Sequence, residues 1–391
     1  MNIRFNHDKL CFEGSANGDW YPITQEVKKA STTLPALIDR YRIEVSLSCT
    51  LKCKYCVVHM NNVRQQNTVM SLETARTIVN QFNEEVGDKG SIFLMGGEPL
   101  TNFPVVKSII EQAQGSTIIF TNALLLDDNL IRFFYKHNTY ILTSLDGYNL
   151  RQNEKRFWPD VQKNFDKVTN NIKNAINKGC KVGVSCLLHN GNVKDAREIA
   201  EFFINDLGAK AMSFSYPHRT MGSTEEDRFD FEQYSKSLID VYRVAKRYGV
   251  YVDQIGKIIS CLAFGNPIVI GCKAGTTQRA FYPDGSETIC TKIDTQKGFL
   301  MNDYINDLPY LHQACRNCIA QGLCSGECPW DFFVATRKGE RGHGRVCGYY
   351  TSFVDFIIND ITSVLSKAKT IDEAKALFNA TILPLAKNYT N

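Results

Sequence analysis

The chain has 391 residues, 43% apolar and 22% charged, with a formal net charge of +4. That composition supplies core for a full catalytic domain and a smaller companion, while the basic excess is too slight and dispersed to imply a nucleic-acid partner. No apolar run reaches the roughly 18 residues of a membrane span, and the start Met1-Asn2-Ile3-Arg4-Phe5-Asn6 lacks the apolar stretch of a signal peptide, so no membrane partner and a cytoplasmic location are expected.

Residues 1 to 40 are expected to be irregular, because Gly14, Gly18 and Pro22 interrupt any periodicity. From Arg42 the pattern alternates strand and helix. Ile43 to Leu47 reads as a strand, and Ser71 caps a helix whose apolar positions Ala75, Ile78, Val79, Phe82 and Val86 follow the helical repeat. Strands follow at Ser91 to Met95, Thr117 to Phe120, Tyr140 to Leu145, Lys181 to Leu188 and Lys210 to Tyr216, with helices near Val105 to Ala113, Val161 to Ile176 and Val193 to Leu207. Repeated β-α units with short loops imply an α/β fold, a parallel sheet curled into an open, partial (β/α)6 barrel whose chemistry sits at the C-terminal strand ends. A helix from about Phe229 to Tyr248 leads into a Cys-rich, Gly-rich region to about residue 350, then helical segments to the C-terminus. The expected organisation is an extension over 1–40, the barrel over 41–250, a Cys-rich domain over 251–350 and a helical segment over 351–391.

Fourteen cysteines suggest disulfides or metal, and a reducing cytosol favours metal. Cys49, Cys53 and Cys56, directly after the first barrel strand, have C-x3-C-x2-C spacing. Three thiolates on one loop reach three corners of an iron-sulfur cube and leave its fourth iron without a protein ligand. Zinc is the competing reading, but a structural zinc wants four ligands, and His59 would have to complete the site. Gly96-Gly97-Glu98-Pro99 follows the next strand; two missing side chains let a charged ligand approach the backbone, and Glu98 can accept from an ammonium. A tight structural turn explains the same residues.

The three-cysteine loop together with Gly96 to Pro99 resembles the radical S-adenosylmethionine (SAM) superfamily, whose open iron chelates SAM and reductively cleaves it to methionine and a 5'-deoxyadenosyl radical. The resemblance implies a [4Fe-4S] cluster on Cys49, Cys53 and Cys56 and SAM contacts from Tyr55, Gly96, Gly97, Glu98, Asn122, Ser144 and Arg156. In this sequence Ala123 stands where relatives have a Gly after the third-strand Asn, which puts the shape of that loop in question.

Downstream, Cys272, Gly285-x4-Cys290, Cys315-x2-Cys318-x5-Cys324-x3-Cys328 and Cys347 match the SPASM signature found in members of the same superfamily. A zinc ribbon would compete for Cys315, Cys318, Cys324 and Cys328 alone. The resemblance implies two auxiliary [4Fe-4S] clusters, three in all. Cys272, Cys290 and Cys328, with Cys261 as a possible fourth, would hold the first; Cys315, Cys318, Cys324 and Cys347 would hold the second. If Cys261 ligates, both clusters are closed and carry electrons; if not, an open iron faces the substrate. Cys11, Cys180 and Cys186 read as structural.

Relatives with this domain mostly modify ribosomally made peptides, so the expected function is a maturase that abstracts a hydrogen and installs a thioether, carbon-carbon or cyclophane-type crosslink in a precursor peptide. Its partners would be that peptide and an electron donor such as flavodoxin or ferredoxin. The forty residues before the barrel leave no room for the winged-helix leader-binding domain that many relatives carry. Three alternatives remain: a small-molecule dehydrogenase, a maturase acting on a protein Ser or Cys, and a non-catalytic electron carrier. The protein-maturing relatives place an Asp after the second cysteine of this domain, whereas Cys290 is followed here by Thr291. Asp284, Asp294 and Glu327 are the nearby acids that would replace that base.

Overall fold

The computed structural model describes residues 1–26, 37–56, 58, 68–219, 229–291, 301–309, 312–340, 342 and 344–386. His59 and Asp294 lie outside the described residues.

The first residues are not irregular. β1 (Ile3–Asn6), β2 (Cys11–Ala16) and β3 (Asp19–Pro22) form a three-stranded antiparallel meander. The residue read as a breaker is the one that builds the turn: Asn17 and Gly18 both adopt positive φ, 54° and 88°, the geometry of a two-residue hairpin. Phe12 is fully buried and stands 6.5 Å, ring to ring, from Phe378 near the other end of the chain.

β4 (Arg40–Ser46) starts the main sheet. Its odd positions Tyr41, Ile43 and Val45 are fully buried, and Tyr41 meets Phe82 of the helix Leu72–Glu85 edge to face at 5.2 Å. That helix begins where the sequence places it, with the Ser71 side chain accepting from Thr74 N. The even positions Arg40 and Arg42 take the opposite face and lie over the rings of Phe93 and Phe120 at 4.3 and 6.0 Å, as the two-residue period of a strand requires.

β5 (Ser91–Gly96), β6 (Ser116–Thr121), β7 (Tyr140–Ser144), β8 (Val182–Leu187) and β9 (Ala211–Ser215) follow in parallel, each beside its predecessor. Short β10 (Tyr251–Val252) extends the sheet beyond β9. At the other edge β11 (Gln278–Phe281) pairs in parallel with β4 and forms a hairpin with β12 (Glu287–Thr288). The nine strands run β10-β9-β8-β7-β6-β5-β4-β11-β12 and do not close on themselves among the described residues, an open α/β sheet of the expected kind.

The Cys-rich region is therefore joined to the barrel through the same sheet. The helix Asp253–Phe264 and the long helix Gly344–Leu365 contribute Ile258, Leu262, Phe353 and Ile357 to the core that also holds Val45 and Leu94. A second, smaller apolar cluster gathers Ala274, Cys290, Tyr304, Leu308, Trp330 and Phe333. Among the described residues no helix is long and apolar enough to cross a membrane.

Candidate active site

The C-terminal ends of β4, β5, β6 and β7 meet through side chains that the alternation pattern brings to one rim. Beyond β4 the loop with Cys49, Cys53 and Cys56 lies against the turn after β5: Gly97 N donates to Ser46 O and Glu98 N to Ser48 O, each at 2.8 Å. This contact explains the two glycines. Gly96 has φ of 145°, and a Cβ there would stand 2.0 Å from Ser46 O; one on Gly97 would stand 2.6 Å from both Leu47 O and Ser48 O. In the structure the space opened by the missing side chains is occupied by the backbone of the cysteine loop.

Glu98 is fully buried and its carboxylate is committed within the rim. It accepts from Leu100 N at 3.1 Å, Thr121 Oγ1 at 2.8 Å and Asn122 N at 2.7 Å. Burial pushes its pKa up to about 7, against the opposing pull of those hydrogen bonds. Asn122 carries the connection onward, its Nδ2 donating to Thr50 Oγ1 at 3.1 Å and lying 3.7 Å from Cys49 Sγ. Ala123, where a Gly was expected, adopts φ of 60° and is fully buried, so the loop keeps the left-handed backbone that Gly normally serves.

After β7 the organising residue is Asp146, which the sequence reading passed over. It is fully buried, and its carboxylate holds Arg156 Nη2 at 2.8 Å, Leu187 N at 3.0 Å and the Tyr55 hydroxyl. Burial opposes the charge on Arg156, but Asp146, Tyr55 and Cys53 outweigh it and raise its pKa. Cys53 Sγ donates to Arg156 O at 3.4 Å and Lys54 N to Lys155 O at 2.9 Å, which seats the cysteine loop on the helix Leu150–Phe157. Tyr55 and Arg156 thus act together in holding that loop, and Arg156 Nε is buried with no hydrogen-bond partner. Ser144, half-buried at the last position of β7, aligns with Ser185 of β8, which aligns with Ser213 of β9.

Cys49, Cys53 and Cys56 are free thiols. Among the described residues the groups compact enough to grip one ion are His218 with Cys328 and Asp331, and Cys11 with Glu13 and Glu26; neither includes Cys49, Cys53 or Cys56. Cys53 and Cys56 each raise the pKa of Cys49, which places the three thiols of this loop near one another. Burial is the main cause of that rise, to about 12, and burial also raises Cys53, so a metal would be needed to hold these two as thiolates.

In the second region Cys315, Cys318 and Cys347 all act electrostatically on Cys324, whose thiol burial pushes up to about 12; these four are neighbours in space. Cys272, Cys290 and Cys328 belong with Tyr304 and Trp330 to the smaller apolar cluster. Cys261 is placed elsewhere: it sits in the main core, 1% exposed, and donates to Gly322 O at 3.4 Å. Asp284 is exposed in the β11–β12 turn, accepting from Ser286 N and Oγ at 2.9 and 2.6 Å. Glu327 is buried, pushed up to about 7 by burial, and paired with Arg345 at 2.5 Å. Between the end of β9 and this region opens a cavity of about 240 Å³, with Tyr216, His218, Lys257, Ser325 and Tyr350 on its wall.

Residues 43–203 match the Radical SAM superfamily. The chain carries a radical SAM domain. Such a domain holds a [4Fe-4S] cluster and SAM, and the donor chemistry of Cys49, Cys53 and Cys56 fits that cluster. A "Radical SAM cyclopropyl synthase TigE" from Paramaledivibacter caminithermalis is 22% identical, the match covering 74% of this chain and 68% of that protein. Among solved structures, native anSMEcpe with bound AdoMet superposes with a TM-score of 0.67 at 17% identity, covering 83% of this chain and 99% of that one. Streptococcus suis SuiB bound to the precursor peptide SuiA superposes with a TM-score of 0.55, also at 17% identity, covering 80% of this chain and 75% of that one. These likenesses establish the radical SAM fold.

Proposed function

We propose that the protein is a radical SAM peptide maturase that removes two hydrogens from a precursor peptide and joins the freed positions in an intramolecular crosslink. The observation that carries this reading is the rim itself: one buried network, running Cys49, Asn122, Glu98 on one side and Cys53, Arg156, Asp146 on the other, holds the three-thiol loop at four adjacent strand ends. When bound, the cluster and SAM supply a 5'-deoxyadenosyl radical, which takes one hydrogen atom from the substrate. The second hydrogen leaves as a proton and an electron, and the electron requires an acceptor.

Cys315, Cys318, Cys324 and Cys347 would hold one such acceptor cluster, and Cys272, Cys290 and Cys328 would hold the other. The SuiB structure contains its precursor peptide and another anSMEcpe structure a bound peptide, which supports the same class here. Selectivity then comes from placing one C–H bond near the radical carbon and excluding water.

The test is anaerobic incubation of the reconstituted protein with SAM, dithionite and candidate precursor peptides. The expected product is lighter by two hydrogens and resists backbone fragmentation between the joined residues. A product of the same mass loss that fragments normally identifies dehydrogenation of a Ser, Cys or other side chain instead. Absence of 5'-deoxyadenosine would refute the enzyme reading altogether.

A further inference from the structure

We propose that His218, through Nε2, is the fourth protein ligand of the iron-sulfur cluster held by Cys272, Cys290 and Cys328. The inference rests on the cluster assignment proposed above and completes it. Three thiols leave one corner of a cube unfilled. The cysteine that sequence order offers for it, Cys261, points its thiol at Gly322 O within the main core, apart from the apolar cluster that contains the other three.

His218 is placed differently. It follows β9 by three residues, and a ring nitrogen of His218, a carboxylate oxygen of Asp331 and Cys328 Sγ lie within 4.8 Å of one another. Cys328 is the N-cap of the helix Pro329–Arg337, so Asp331 stands in that helix's first turn, directly beside the thiol. Asp331 is fully buried and both its oxygens are taken: Oδ1 accepts from Arg219 N at 2.5 Å, and Oδ2 is 2.8 Å from His218 Nδ1 and 3.3 Å from Arg345 Nη2. A carboxylate in that setting accepts the Nδ1 proton. In the neutral imidazole the lone pair is then on Nε2, for which no hydrogen bond is found among the described residues.

A histidine oriented by a carboxylate on its other nitrogen is the arrangement by which proteins aim imidazole at metals. Asp331 is thus a positioning residue, its own oxygens being spent. A neutral imidazole in place of a thiolate removes one negative charge from the cluster and raises its reduction potential, as it does where histidines replace cysteines in other iron-sulfur sites. The cluster is then closed to substrate and suited to accept the electron released when the new bond forms.

The experiment uses the full chain, reconstituted, with [15N]histidine incorporated and SAM omitted so that its amino nitrogen contributes no signal. Iron is quantified, and the reduced clusters are examined by pulsed EPR. The expected result is about twelve irons per chain and a strong histidine-nitrogen coupling that disappears in both H218A and H218C. H218C, which restores a fourth thiolate, keeps its iron and shifts one reduction midpoint to lower potential; it guards against loss of signal through misfolding. A full iron complement without a histidine coupling, or a coupling that survives in H218C, overturns the proposal. About eight irons in the wild type, unchanged in C272A, would instead overturn the assignment of that cluster and the inference with it.

Discussion

The two cysteine-bearing regions are built on opposite principles. The first hangs on strand ends, where Asp146, Glu98 and Asn122, all nearly inaccessible, fix the loop from neighbouring strands. Between Cys315 and Cys328 the second is built mainly of turns: Cys318 N bonds to Cys315 O at 3.0 Å, Gln321 N to Cys318 O at 3.0 Å and Cys324 N to Ala320 O at 2.8 Å, with a helix resuming at Pro329. One site is shaped by the sheet before any metal arrives, whereas the other hangs its thiols on local turns beside the small apolar cluster of Tyr304 and Trp330 and the buried Glu327–Arg345 pair. Preorganisation of the first suits a centre that must present an open coordination site at a fixed place. Dependence on metal suits centres that have only to be enclosed.

Removing iron should break this contrast most visibly. Apo-protein is expected to be cut by protease across residues 312–328 while the parallel sheet stays protected, because a buried thiol cluster without metal contributes little folding energy. Limited proteolysis with mass mapping checks this, and equal protection of both regions would remove the distinction. Asp146→Ala should come next: it strands a buried guanidinium and releases Tyr55, costing about 3–5 kcal/mol. Denaturant unfolding reads the stability loss, and 5'-deoxyadenosine yield should fall with it.

Glu98→Gln should cost about 1–3 kcal/mol, since an amide presents an N–H toward a donor that the carboxylate accepted. The same variant has a signature in pH. Because the folded-state pKa of Glu98 is raised to about 7, its contribution to stability is complete below the ordinary carboxylate value and is lost as pH rises through about 7. Glu98→Gln should flatten the stability profile over that interval. The smallest effect belongs to Ala123→Gly, where relief of left-handed strain is partly cancelled by added freedom in the unfolded chain. A net change of about 0.5 kcal/mol or less is expected, measured as a near-unaltered melting temperature.

Much of the barrel was legible because its signals are local. Tyr41, Ile43 and Val45 share the apolar face of β4 as the two-residue period demands, and Ser71 caps the first barrel helix by a bond to the third residue on. The N-terminal meander was missed because Gly18 was weighed as an interruption, when Asn17-Gly18 is itself a hairpin turn. The helix Asp128–Lys136 also escaped notice, although Asp127 caps it by accepting from Asn129 N and Leu130 N. Long-range pairings left no such trace. Nothing in the four residues of β11 announces a parallel partner at Arg40 to Ile43, and nothing in Ser144-Leu145-Asp146-Gly147 announces that the acid would receive Tyr55 and Arg156. Cysteine spacing suggested a grouping of the thiols; it carried no information about a histidine reaching Cys328 and Asp331 from the end of β9.

The parallel pairing of β11 with β4 bears on how this protein can be handled. A fragment ending before Gln278 would strip β4 of its neighbour from Arg40 to Ile43 and leave amide and carbonyl groups there open to another copy. Dissecting the chain into an isolated barrel and an isolated cysteine module should therefore yield self-associating material. Truncated forms made for crystallisation or directed evolution need to keep the residues on both sides of that seam together.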